Sequence, residues 1–319
     1  MLELLYGTDA TNDADNKSDL SGYTNGQQAN SMQTHAFLNN IFANGGVLAI
    51  YNNRVLYLKG STMARYRFAT PPVYEDTIDL TAPIAYDLNG SVFQYGKYVY
   101  FGQSRGDQQL ITRVNLTNGA VVVYPVTPVT KGMFCYYEGY LYITGGFIGT
   151  ALNDTKLWRL DVSNPSAGWV QVATFATKLP TVIIGSQAYL YNGRMLFCGG
   201  GKVVAGDVNN NDGNTYTVIP QIDLGNYSVS SITSTIALRN DYHNATFING
   251  TYLSQYVYNL SGGNTSYIGV NLVTGQARTS NLGNQLPSYH SLFFQQGELG
   301  IISGGYGGKT LHTVRLPKS

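Results

Sequence analysis

One pattern recurs along this chain and limits what it can fold into. A stretch of alternating apolar residues is followed by a two-residue turn, a second such stretch, and in most copies glycine. The copies lie at residues 47–61 (VLAIYNNRVLYLKGS), 92–104 (VFQYGKYVYFGQS), 133–146 (MFCYYEGYLYITGG), 188–201 (AYLYNGRMLFCGGG), 245–256 (ATFINGTYLSQY) and 292–305 (LFFQQGELGIISGG). Alternation places one side of each strand in a core. Asn-Gly-like pairs suit tight hairpins because they tolerate positive φ. The second turn residue is read as Asn53, Gly96, Gly139, Gly193, Gly250 and Gly297.

The second half of each unit repeats as well. A strand ends in Val/Leu–Asn/Asp–Leu/Val, a polar turn follows, and another strand begins. Residues 112–119 (TRVNLTNG), 157–162 (LWRLDV) and 268–275 (IGVNLVTG) show it. Four short strands on a period of roughly 40–50 residues predict a β-propeller. The expectation is all-β: six four-stranded antiparallel blades in one domain over residues 1–319. Seven blades are the alternative if residues 201–235 hold an extra hairpin. No stretch keeps a helical period over three turns.

Six units leave the last one, residues 289–316, a strand short. An open sheet edge is a pairing hazard, so an N-terminal strand is expected to close the ring, with Leu2-Glu3-Leu4-Leu5-Tyr6 in that place. Residues 8–34, rich in Asn, Asp, Ser and Gly, read as a polar surface excursion.

Composition narrows function. Charged residues are 12% and the net charge is +1, so nothing drives nucleic-acid binding. No apolar run approaches the ~18 residues of a spanning helix, so no membrane insertion is expected. Cys135 and Cys198 sit in apolar runs and read as buried free thiols. The N-terminus lacks a basic start and apolar run, which predicts cytoplasmic synthesis without a signal peptide. The sequons at Asn115, Asn226, Asn244 and Asn264 are therefore read as compositional.

The third unit carries a further signal. Gly145-Gly146 follows an apolar strand, Trp158-Arg159-Leu160-Asp161 sets an aromatic before an acidic turn, and Trp169 lies beyond it. This unit resembles a kelch repeat. Gly199-Gly200-Gly201, Gly262-Gly263 and Gly304-Gly305 repeat part of the pattern. The resemblance implies glycines at the end of the second strand and tryptophans where blades pack.

Candidate ligand contacts gather where the innermost strands begin, at the mouth of a central channel. Tyr242-His243 and Tyr289-His290 each place the histidine seven residues before a turn glycine. Lys131-Gly132 holds the matching position of the third unit, and Arg239, Asp241 and Asp87 fall nearby in register. Aromatic faces beside hydrogen-bonding groups suit sugar rings, and the same groups could serve acid–base chemistry. A weaker candidate is a calcium loop at Asp207, Asn209 and Asn211, whose alternate oxygens suit Ca²⁺ but which lacks a distal carboxylate. No other metal or cofactor is expected.

Low charge, abundant Tyr, Asn and Gly, and the lack of an enzyme motif predict a non-enzymatic structural or binding protein of a large assembly. The composition resembles that of phage virion and tail proteins. Its partners would be other virion subunits and a host-surface glycan, and its place the virion after release. Tyrosine and asparagine give rigid amphipathic area and adaptable hydrogen bonding. The alternative is a carbohydrate-active enzyme, a kelch-like mutarotase or oxidase, with its site at the channel mouth.

Overall fold

The two-residue turns form where the sequence places them, in two versions. Glu138-Gly139 and Asn192-Gly193 have positive φ at both residues, the geometry that matches the right-handed strand twist. At Gly96-Lys97 and Gly250-Thr251 only the glycine does, and it is the first turn residue rather than the second. The computed structural model describes residues 32–36, 46–52, 54–67, 73–85, 92–105, 108–130, 132–149, 151–152, 155–175, 183–184, 187–198, 201–202, 214–240, 245–258, 265–281, 293–296, 299–303 and 310–315.

The strands build a β-propeller. After β1 (Met32–Ala36), the first repeat forms an opening sheet of β2 (Val47–Tyr51), β3 (Arg54–Arg67) and β4 (Val73–Ile84). Blade I holds β5 (Val92–Tyr95), β6 (Tyr98–Arg105), β7 (Gln108–Asn115) and β8 (Val121–Val123). Blade II holds β9 (Met133–Tyr137) and β10 (Tyr140–Thr144), a small hairpin of β11 (Phe147–Ile148) and β12 (Ala151–Leu152), then β13 (Lys156–Asp161) and β14 (Val170–Thr174). In the next repeat β15 (Ile183–Ile184) pairs with β18 (Gly201–Lys202), while β16 (Gln187–Tyr191), β17 (Arg194–Cys198), β19 (Asn214–Asp223) and β20 (Val229–Asn240) make blade III. Blade IV is β21 (Ala245–Asn249), β22 (Tyr252–Tyr258), β23 (Thr265–Asn271) and β24 (Ala277–Asn281). Blade V is β25 (Phe293–Gln296), β26 (Leu299–Ser303) and β27 (Thr310–Arg315), completed by β1.

Two expectations are corrected. The four-stranded blades number five, not six or seven, because the first repeat forms a three-stranded sheet. The long β3 and β4 run as one extended hairpin there, with register shifts at Gly60/Thr62 and Arg65/Tyr66. The outer strand of the last blade comes from the N-terminal side, but it is Met32–Ala36 that pairs with β27, Met32 facing Val314 and Ala36 facing Thr310. Residues 2–6 lie outside the described residues. Met32, Gln33 and Thr34, read as the end of a surface excursion, belong to that strand.

Below each sheet the two turns are tied by one repeated bond. In blades I to IV the residue after the turn Asn or Asp donates its N–H to the carbonyl of the second hairpin-turn residue: Leu116 to Lys97 (2.8 Å), Val162 to Gly139 (3.1 Å), Leu224 to Gly193 (2.9 Å) and Leu272 to Thr251 (2.7 Å). The Asn or Asp itself closes an Asx turn. Asn115 accepts from the Thr117 N–H (2.9 Å), Asp161 from Ser163 (2.8 Å), Asp223 from Gly225 (2.9 Å) and Asn271 from Val273 (2.9 Å). The repeated Asn/Asp–Leu/Val pair is thus a turn lock.

Apolar clusters fill the spaces between neighbouring sheets. Val47, Leu56, Leu58 and Met63 of the opening sheet pack with Val99, Phe101 and Val114 of blade I. Blades I and II meet through Ile111, Phe134, Leu141 and Leu160, and blades III and IV through Leu196, Ile219, Leu253 and Val270. Cys135 and Cys198 are free and buried, and burial pushes both thiols well above the ordinary range. These sulfurs are core atoms, not nucleophiles. Near the axis, β16 of blade III contacts both β9 and β5. All five residues of β2 are buried, and Gln94 of blade I accepts the Ile50 N–H through its amide oxygen (3.2 Å). The innermost strands pack closely around the axis.

Candidate functional site

The residues singled out at the channel mouth fall almost wholly outside the described residues. Lys131, Asp241, Tyr242, His243, Tyr289 and His290 do so, as do Asp87 and the calcium-loop candidates Asp207, Asn209 and Asn211. Arg239 is placed by its backbone alone, near the end of β20 opposite Thr215, on the outermost strand of blade III. Among the described residues no group of three His, Cys, Asp or Glu side chains could hold a metal ion.

A different site is described in full. It lies toward the hairpin-turn ends of blades I and II and on both sides of blade II, with Tyr95, Tyr98 and Tyr136 in the joint with blade I and Tyr137 and Tyr140 on the side of blade III, away from the strand starts where the sequence reading placed its candidates. Tyr95 and Tyr98 flank the turn of blade I, and Tyr137 and Tyr140 flank that of blade II. All four, with Tyr136, are half-buried. Tyr136 stacks on Tyr100 with ring centroids 5.5 Å apart and planes 14° apart, and meets Tyr95 at 4.8 Å. Tyr137 reaches toward blade III, its hydroxyl 3.1 Å from where a Cβ on Gly193 would lie.

Two arginines sit on these rings at equivalent positions. Arg113 faces Tyr100 across β6 and β7, and Arg159 faces Tyr142 across β10 and β13. Each lies two residues before the turn Asn or Asp. The Arg113 guanidinium lies 4.8 Å from the Tyr98 ring centroid and 5.9 Å from that of Tyr124. Arg159 lies 4.2 Å from the Tyr140 ring and donates from Nη1 to the Tyr227 hydroxyl (3.2 Å). Lys97 adds a third cation over Tyr98, at 5.7 Å. Stacking on an aromatic face suits the weakly hydrated guanidinium.

The electrostatics follow from burial. The Tyr142 hydroxyl is pushed up to about 12, first by desolvation and then by Tyr227. Tyr100 and Tyr124 are raised mainly by desolvation, with Arg113 opposing. These hydroxyls stay neutral donors throughout the physiological range. Asp161, the nearest acid to Arg159 in sequence, is engaged elsewhere. The Ser163 hydroxyl and N–H hold its carboxyl below the usual range. Among the described residues the ion pairs are Arg54–Glu75, Arg65–Asp76 and Arg194–Asp223, and neither Arg113 nor Arg159 enters one. The Tyr124 hydroxyl and the Trp158 indole N–H are buried with no hydrogen-bond partner.

Chemically the site offers flat aromatic area, neutral hydroxyl donors and two guanidiniums not neutralised by a carboxylate. Single-strand reading missed it because each tyrosine alone reads as core. The signal was the register: Tyr-x-Tyr on the second strand of two repeats, matched with an arginine two residues before the turn lock.

No known family model matches the chain, and comparison with curated proteins found no match.

Proposed function

We propose that this propeller is a non-enzymatic binding protein of a large assembly, and that it reads a glycan with the tyrosine–arginine face of blades I and II. The observation that carries this reading is the set of half-buried tyrosines held in place by each other and by two arginines. Ring faces receive the apolar side of a sugar, and fixed hydroxyls and guanidiniums meet its oxygens. Such rigid aromatic area costs little conformational entropy on binding. The assembly is a phage virion or tail. That part rests on composition: 12% charged residues with 37 Gly and 26 Tyr. Receptor recognition or decoration outside the cell follows from it.

Kinship with kelch-like propellers is part of the same proposal. Its support is local to blade II. Gly145 and Gly146 follow the second strand with positive φ, and Trp158 and Trp169 lie where blades I and II pack.

A glycan array with the purified chain, read together with mass spectrometry of any bound sugar, tests the reading. Binding without chemical change is expected, weakened about tenfold by Tyr98→Ala or Tyr136→Ala, the scale of one lost aromatic contact. Turnover of the sugar, abolished by His243→Ala and His290→Ala, would replace this reading with the enzyme one. Absence of binding to any glycan would leave an architectural role.

A further inference from the structure

Building on that reading, we propose that the ligand is an extended anionic glycan whose acidic groups are taken by Arg113 and Arg159 together. Two observations converge on it.

The first is equivalence. Both arginines occupy the same register position on the third strands of adjacent blades, opposite Tyr100 and Tyr142. Each is held on a ring of its own hairpin, Tyr98 or Tyr140. Arg113 lies in the joint between blades I and II, and Arg159 in the joint between blades II and III. The two like cations thus stand in successive joints at the same end of the blades, too far apart to share one carboxylate and suited to two acidic groups along a chain.

The second is charge. Neither guanidinium is paired with a carboxylate among the described residues, and both are partly exposed. A guanidinium matches a planar or tetrahedral oxyanion through paired N–H donors. Asp161 accepts its hydrogen bonds from Ser163, and Arg159 acts on it only as the smallest of the influences on its carboxyl, without an ion pair.

The pattern ends where it should for a bounded site. At the same register position blade III has Gln221 opposite Leu196, and blade IV has Gly269 opposite Ser254. Two clamps define a short site rather than a ring of positive charge, and the net charge of +1 favours a glycan over nucleic acid.

The test is a binding titration of the full chain with four glycan probes, oligogalacturonate, galacturonate monomer, dextran sulfate and neutral dextran, and with a single-stranded oligonucleotide beside them. The two tryptophans at the joint between blades I and II, Trp158 and Trp169, supply the fluorescence readout. Oligogalacturonate or dextran sulfate is expected to bind at least tenfold more tightly than neutral dextran, with affinity falling as salt rises. Preference between those two assigns carboxylate or sulfate. The monomer, which fills one clamp, is expected to bind at least tenfold more weakly than the oligomer. Arg113→Gln and Arg159→Gln should each remove most of that gain, with thermal melts reporting any loss of fold. If a variant fails to fold, the salt and chain-length dependence of the unaltered protein still decide the matter. Neutral dextran bound as tightly as the acidic oligomers, without salt dependence, would overturn this inference and leave the glycan-binding reading standing. Binding to none of the four, with no hit on the array, would remove both. Tighter binding to a single-stranded oligonucleotide than to either acidic glycan would overturn it in favour of nucleic acid.

Discussion

The joints between sheets are made in two ways. Between the opening sheet and blade I, and again between blades III and IV, a threonine on the outer strand clasps the glycine of the next turn. The Thr81 N–H donates to the Gly119 carbonyl (3.1 Å), and Thr81 Oγ1 accepts the Val121 N–H (2.8 Å). The Thr235 N–H donates to Gly275 (3.0 Å), and its Oγ1 accepts the Ala277 N–H (2.9 Å). Both glycines have positive φ. A Cβ on Gly119 would lie 2.6 Å from the Asp79 carbonyl, and one on Gly275 would overlap the carbonyl of Thr233. The two joints flanking blade II have no such clasp. There the Trp169 indole donates to the Pro125 carbonyl (3.2 Å), and Arg159 donates to the hydroxyl of Tyr227. Tyr227 stands four residues after its turn-lock Asp223, where the clasped joints have glycine. The difference teaches where the fold spends its side chains. Backbone clasps need only a threonine and a glycine, whereas the joints of blade II place tyrosine, tryptophan and arginine at the surface, and the candidate site lies among them.

Alkaline pH should break the aromatic joints most completely. Tyr142 is pushed up to about 12, chiefly by desolvation, while an unfolded tyrosine titrates near 10. A raised folded value means that the stabilisation is whole below pH ~10 and is lost as pH rises toward 12. Trp158 and Trp169 emission should shift over that window, together with the phenolate absorbance of the buried tyrosines. Emission unchanged while those hydroxyls ionise would contradict the burial assigned to them.

Next in size, Gly275→Ala should destabilise by more than the roughly 1–2 kcal/mol of a left-handed alanine, because the Thr233 carbonyl must also move. Gly139, in a hairpin turn with a positive φ of 84°, has nothing within 4 Å of its Cβ position, so Gly139→Ala should cost the backbone term alone. Equal losses in urea unfolding would show that the clasp is not close-packed. Thr235→Val removes one acceptor and should cost about 1 kcal/mol. The smallest effect is expected of Tyr227→Phe, which keeps the ring and gives up only the bond to Arg159, a loss of about 0.5–1 kcal/mol. A loss of several kcal/mol would show the aromatic joint to be stronger than the clasp.

Some of this was legible in the chain and some was not. The hairpins at Gly96, Gly139, Gly193 and Gly250 were, because positive φ at a turn leaves few choices of residue. The four-strand unit was legible through Asn115, Asp161 and Asn271, whose side chains lock a turn by contacts within a few residues. The number of four-stranded blades was not. Residues 54–67 and 73–84 carry strand signal throughout, and nothing local shows that they run as one long hairpin. The closing strand was expected from the open edge of the last repeat. Its identity depended on partners some 280 residues away, Met32 against Val314, and an apolar-run criterion favoured Leu2–Tyr6 over the polar MQTHA. For the site, the sequence directed attention to histidines at the strand starts. The described residues that matter are Tyr98, Tyr140, Arg113 and Arg159, which show no common feature until the repeats are laid in register.

Alternation, φ preference and apolar neighbours close along the chain were enough to set the all-β class, the hairpin turns and the burial of Cys135 and Cys198. Long-range contacts set which strand closes the ring, which joints are clasped by backbone and which by aromatics, and that two arginines 46 residues apart share one register. Those outcomes depend on packing between sheets. A hydrogen bond such as Thr235 to Gly275 forms only when two separately folded hairpins are brought to contact distance, and no local preference encodes that approach.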